Sequence, residues 1–157
     1  MLYIEKGPCL EEDEERIICC DARKGDNDQM RIDPRNAEMM EHILYDSDGT
    51  IGISESEDQQ ILQRDLDEIL FLNGKLDANR VCIQDTTTEL VKKRRDLFRD
   101  TENNCLELQE QGMLTLEFLD RKISQCLEVE HREEMVGVKL FVMKFYRNKL
   151  ISKEKVT

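Results

Sequence analysis

The chain has 157 residues, room for one ordinary domain, with a net charge of −12, 37% charged and 39% hydrophobic residues, 5% aromatics and no Trp. So little bulky apolar material excludes a thick globular core and suits amphipathic helices that each bury one stripe. No window holds the ~18 uninterrupted apolar residues of a membrane span. The opening MLYIEKGPCLEEDEER turns acidic without an apolar signal core, so an intracellular protein is expected.

Residues 1–60 carry 17 acids against 6 bases, with scattered turn residues such as Lys24-Gly25-Asp26-Asn27-Asp28. Such a stretch buries too little apolar area to offset its ordering entropy, so residues 1–53 are expected to be mostly disordered. Within them, Glu11-Glu-Asp-Glu-Glu15 precedes the β-prone patch Ile17-Ile-Cys-Cys20, which has the composition of an added edge strand but reads first as a solvated acidic tail. A short helix is expected over 35–44, started by Pro34, with Met39, Met40, Ile43 and Leu44 on one side.

Tyr45-Asp-Ser-Asp-Gly-Thr-Ile-Gly-Ile-Ser-Glu55 partly fits a calcium loop, with Asp46, Asp48 and Glu55 at ligand places. Leu44 falls at the first place, however, and removes a principal oxygen. The same loop reads better as a phosphoacceptor, because Ser47, Ser54 and Ser56 each have acids nearby. His42, four residues after Glu38, and His131, among Glu128, Glu130, Glu133 and Glu134, read as surface groups.

Ser54-Glu-Ser-Glu57 and Ser56-Glu-Asp-Gln59 both fit a capping box, and a helix is expected to start there. Leu62, Ile69, Leu76, Ile83, Leu90 and Leu97 then recur every seven residues, which predicts one helix with a continuous apolar seam. Both prolines lie at or before Pro34, so nothing later breaks a long helix by that means. The flanking positions include Asp65, Asn79, Lys93 and Arg94, poor material for a self-sufficient dimer. Pairing with other helical subunits is therefore favoured over homodimerisation. The stripe resets through Cys105, Leu108, Gly112, Leu116, Leu119, Ile123, Cys126 and Leu127, and Asn73-Gly74, Asn103-Asn104 and Gly112 are possible bends. The expected fold is thus all-α: a coiled-coil region over 54–134, as a rod or a helical hairpin, behind the acidic segment.

Residues 135–157 reverse the charge, with 6 bases against 1 acid. They read as a helix in preference to a strand, with Val138, Val142 and Phe145 on one face beside Phe141. A partner's surface is expected to cover Val138, Phe141, Val142, Phe145, Tyr146 and Lys149. Contact with nucleic acid or an anionic membrane is the lesser expectation, since the rest of the chain repels phosphate.

The six cysteines, Cys9, Cys19, Cys20, Cys82, Cys105 and Cys126, form no Cys-x-x-Cys pair and read as reduced thiols without zinc. No phosphate-binding glycine loop and no nucleophile–base arrangement is present, so neither an enzyme nor a cofactor is expected. The layout of acidic leader, interrupted coil containing Leu90-Val-Lys-Lys-Arg-Arg-Asp-Leu97, and basic apolar end Lys139–Ile151 is similar to that of coiled-coil subunits of kinetochore and centromere complexes. That resemblance implies a structural subunit of a multiprotein assembly, on chromosomes or the cytoskeleton, and assigns no functional residue.

Overall fold

The computed structural model describes residues 30–33, 35–70, 72–81, 83, 88–128 and 135–156. The Glu11–Glu15 run, the Ile17–Cys20 patch, Pro34, Cys82 and His131 lie outside the described residues, as does most of the segment expected to be disordered. The chain divides into two compact units, Met1–Arg95 and Asp96–Thr157. The described part is mostly helical, with one two-stranded sheet.

In the first unit a short helix, α1 (Ala37–Glu41), is capped by Asn36, whose side-chain oxygen accepts from the Met39 N–H at 3.2 Å. It ends earlier than expected because Ile43–Tyr45 forms strand β1, antiparallel to β2 (Ile51–Ile53), with Leu44 opposite Gly52. The connecting turn is closed by Asp46 N–H to the Thr50 carbonyl at 3.0 Å and Gly49 N–H to the Asp46 carbonyl at 3.0 Å. Gly49 sits at φ +91°, the left-handed residue such a three-residue hairpin loop requires. Its bareness is needed twice, since a Cβ there would meet the Val91 carbonyl oxygen at 2.2 Å.

Helix α2 (Gln59–Arg64) follows and runs into a single π turn over Asp65–Ile69. The capping boxes read at Ser54 and Ser56 do not form: Asp58 precedes the helix and gives no side-chain cap. Ser54 Oγ instead lies 2.8 Å from His42 Nδ1. The π turn inserts one residue into the helical ladder. It leaves Asp65 and Leu66 both fully buried. Asp65 Oδ2 accepts the backbone N–H groups of Arg31 (2.6 Å) and Ile32 (2.9 Å), which carries Ile32 into the core. Ile32, Ile43, Ile51, Ile53, Leu62, Leu66, Leu70 and Leu72 make up that core, each contributing about 1.5–3 kcal/mol when fully buried. Residues 30–33 and 35–53 are thus ordered parts of a packed unit, contrary to the disorder expected of them. Their isoleucines find in α2 an apolar surface that the local composition did not display.

The outer edge of β2 is sealed by amide side chains. Asn73 Oδ1 accepts from Ile51 N–H at 2.6 Å while its Nδ2 donates to the Ile51 carbonyl at 2.8 Å. Gln63 Oε1 accepts from Ile53 N–H at 2.9 Å, and Gln59 Nε2 donates to the Ile53 carbonyl at 3.0 Å. Three side chains therefore take the place of a third strand.

After Leu72 the chain turns instead of continuing as helix. Gly74 is at φ +64° and Arg80 at φ +61°, and Asp77 Oδ1 accepts from the N–H groups of Asn79 and Val81. The heptad seam is corrected accordingly. Leu62 and Ile69 lie on α2 and its π turn, Leu76 and Ile83 lie between helices, and Leu90 and Leu97 lie on α3 (Glu89–Glu110). Left-handed backbone at Gly74 and Arg80 cannot continue an α-helix. Helix α3 starts after Thr88, whose Oγ1 accepts from Val91 N–H at 3.3 Å.

The second unit holds the later turns of α3, then α4 (Leu116–Leu127) and α5 (Val136–Val156). Gly112, at φ +70°, closes α3: its N–H reaches the Gln109 carbonyl and Met113 N–H reaches the Leu108 carbonyl, the paired bonds of a Schellman turn. Thr115 Oγ1 then caps α4 by accepting from Phe118 N–H at 3.1 Å. The C-terminal segment is helical as expected.

Two substitutions test this unit-by-unit account. Asn73→Ala strands the Ile51 N–H and leaves its carbonyl only the longer bond from Gln63 Nε2, at 3.4 Å, and should lower unfolding free energy by about 1–3 kcal/mol in urea titration. Gly49→Ala should cost about as much or more, because its backbone is left-handed and the Val91 carbonyl blocks the methyl.

Candidate partner-binding cleft

The second unit packs Cys105, Leu114, Leu119, Val142, Met143 and Tyr146 as its buried core, with Phe98, Leu108, Phe118, Ile123, Cys126, Leu140 and Leu150 partly buried against it. Arg147 Nε and Asp120 Oδ1, 2.5 Å apart, tie α5 to α4 at the surface. Between the three helices opens a cleft of about 780 Å³. Its apolar floor comes from Leu108, Phe118, Leu119, Val136 and Met143, with the Cys105 and Cys126 thiols. Thr101, Asn104 and Gln111 of α3, Lys122 and Gln125 of α4, and Lys139 of α5 bring polar groups to it, and Glu107 and Glu128 add carboxylates.

The expected interface residues fall on several surfaces. Leu108 and Leu119 line the cleft, and Ile123 packs on the core behind it. Leu116 is half-buried at the first turn of α4. Leu62 belongs to the core of the first unit, Leu90 packs against that core, and Ile69, Leu76, Ile83 and Leu97 are half-buried. Of the residues expected to meet a partner, Val138, Val142 and Tyr146 are buried inside this chain. The apolar side of α5 is covered by the unit's own helices, which removes the reason to require a foreign surface there. Phe141 is half-buried with its ring 6.4 Å from that of Phe98. Phe145 is 53% exposed, and the Lys149 ammonium lies 5.4 Å from its ring centre and 5.6 Å from that of Tyr146. The inward face of α5 keeps Val138 and Val142 as expected and differs at its next member, with Tyr146 inward and Phe145 outward.

Of the candidate phosphoacceptors, Ser47 is exposed on the hairpin turn, Ser54 is held by His42, and the Ser56 hydroxyl is buried. Asp46 and Asp48 direct carboxylate oxygens to their own turn, Asp46 to Ser47 N–H and Asp48 to Thr50 N–H and Oγ1. Among the described residues no three acidic, histidine or cysteine side chains converge as a metal site, and no helix is long and apolar enough to cross a membrane.

The polar mouth of the cleft was not legible in the sequence. Thr101, Asn104, Gln111 and Gln125 follow helical spacing on either side of the Gly112 turn, but only the turn's closure shows that they converge. The chain matches no protein-family model, no curated protein and no solved structure.

Burial holds the Cys105 thiol above its ordinary pKa, with the Glu102 carboxylate adding to the rise. Tyr146 is raised by burial first and by Glu102 and Cys105 after it. For each, the protonated form favours the folded state. Their contribution to stability should therefore be level below the unfolded cysteine value, about 8.5, and fall as pH rises beyond it. Urea titrations at stepped alkaline pH check the slope, and Cys105→Ala should flatten its first part.

Proposed function

We propose that this chain is a non-enzymatic interaction subunit of a multiprotein assembly, and that its second unit takes a helix of another chain into the cleft between α3, α4 and α5. The observation that carries this reading is the cleft itself: an apolar floor open to solvent, with amides and charges of both signs around it. That pattern suits an amphipathic helix, whose anchors recur at i, i+3 or i+4 and i+7 along one side. Unlike partners are favoured over a second copy. The exposed large apolar residues of this unit, Leu106, Met113, Leu127 and Phe145, lie singly on α3, the Gly112 turn, α4 and α5. No described helix offers the row of anchors that a second copy would have to insert.

The assembly we propose is a chromosomal one, kinetochore or centromere, with the cytoskeleton as its alternative. This part of the reading is supported by the layout of the sequence alone. A regulatory adaptor using 135–157 as a membrane-surface or calmodulin-binding helix is disfavoured by the burial of Val138, Val142 and Tyr146. An interfacial helix must lend that apolar side to its target.

A substitution at the mouth of the cleft tests the proposal without touching the core. Asn104 is exposed and lines the cleft. In quantitative affinity purification from cells, Asn104→Trp should reduce recovery of any stoichiometric helical partner at least ~10-fold, about 1.4 kcal/mol or more, with the melting temperature unchanged. Unaltered recovery of the same partners would remove the cleft from the interface.

A further inference from the structure

Helix α5 has two unlike sides. Val136, Lys139 and Met143 line the cleft, and Val138, Val142 and Tyr146 are buried in the unit. Lys144, Phe145, Asn148, Lys149, Ser152 and Lys153 are exposed, as is Lys155. At 3.6 residues per turn these exposed residues fall on one half of the helix circumference, away from the cleft. Glu154, the one acid of the helix, falls on the side opposite Phe145 by the same spacing. Among the described residues, none of Lys144, Lys149, Lys153 and Lys155 forms an ion pair, whereas Arg147 is taken by Asp120. The Phe145 ring is held in place: it stands edge-on to that of Tyr146, 5.6 Å between ring centres, under the Lys149 ammonium.

Ammonium groups around one fixed aromatic ring suit an anionic ligand that also carries an apolar side chain. The rest of the unit limits how long that ligand can be. Residues 96–128 carry eight acids against three bases. From Lys144 to Lys155 the face runs about 16 Å, at 1.5 Å per residue. A nucleic-acid strand or a membrane plane extends well past that length and is repelled by those acids, whereas a short peptide is not. We infer that the outer face of α5 binds a short acidic peptide of another protein. Its carboxylates meet Lys144, Lys149, Lys153 and Lys155, and an aromatic or aliphatic side chain packs on the Phe145 ring. The ring's fixed position lowers the ordering cost of that contact. Exposed ion pairs are each worth little, so binding is weak and salt-sensitive. This inference does not rest on the cleft, which lies on the other side of the helix.

The test uses the full chain, isotopically labelled, with a short synthetic glutamate peptide carrying one central phenylalanine as the probe. At low ionic strength the peptide should move the amide signals of Phe145, Lys149 and Lys153, and added salt should weaken it several-fold. The triple variant Lys144→Gln/Lys149→Gln/Lys153→Gln is changed only at exposed positions, to a residue of similar helix propensity. It should weaken binding about tenfold with the melting temperature unchanged. Asn104→Trp, at the mouth of the cleft, should leave binding as it is. Three results would overturn the inference: no movement of the α5 signals, equal binding of a glutamine peptide with the same phenylalanine, or unaltered binding by the triple variant. Loss of binding in Asn104→Trp would also overturn it and place the peptide in the cleft. Tighter binding of a short single-stranded DNA or of anionic vesicles than of the peptide would overturn it too, and assign the face to phosphate.

Discussion

The first unit depends on one buried cation. Arg94, 5% exposed, donates from Nε to the Gly49 carbonyl at 2.8 Å and from its terminal nitrogen to the Leu72 carbonyl. A guanidinium is poorly tolerated inside a protein unless its donors are met. Here two carbonyls from distant parts of the chain meet them, one at the tip of the hairpin and one at the end of the α2 region. The same side chain faces Tyr45, whose hydroxyl is raised in pKa by burial and pulled back by the Arg94 charge. Gly49 can come this close only because it lacks a side chain, so the glycine and the arginine form one arrangement. The hairpin turn, the loop after α2 and the start of α3 meet around it.

Polar side chains organise the interior of this unit as much as its aliphatic ones do. Asp65 gathers the incoming chain at Arg31 and Ile32, while Asn73 and two glutamines complete β2. Asp67 joins this network by accepting from Asn73 Nδ2 at 2.6 Å and from Arg80 at 2.6 Å. Buried polar groups of this kind are costly when half satisfied and specify a unique arrangement when complete. They allow a segment with few aromatics to fold as a small unit, which composition alone argued against.

Helical content was legible in the sequence, as was the helix at the basic end, because leucine, methionine and lysine at helical spacing report directly on the backbone. The seam was not. Six aliphatic residues at intervals of seven are shared among two helices and a turn region, and only Leu62 and Leu90 come to one core. Periodicity records spacing along the chain, whereas Asn73 is claimed by Ile51, a partner 22 residues away. Gly74 and Gly112 were both visible as possible bends, and both are at positive φ. What distinguished a bend from a tolerated flaw was the set of carbonyls and N–H groups waiting to be capped, which no local pattern displays. The exchange of one member on the inward face of α5 has a similar origin: Tyr146 rather than Phe145 completes the core beside Val142 and Met143.

The amide that seals β2 is followed in the chain by Gly74, and an asparagine before glycine is the pair most prone to spontaneous deamidation. In the folded chain Asn73 is held by three hydrogen bonds and Gly74 is fixed in a left-handed conformation, both of which hinder the backbone nitrogen from attacking the side chain. Conversion to aspartate would exchange the donor facing the Ile51 carbonyl for an acceptor and set a second carboxylate against Asp67. The chemical lifetime of this unit is therefore linked to how seldom its hairpin opens.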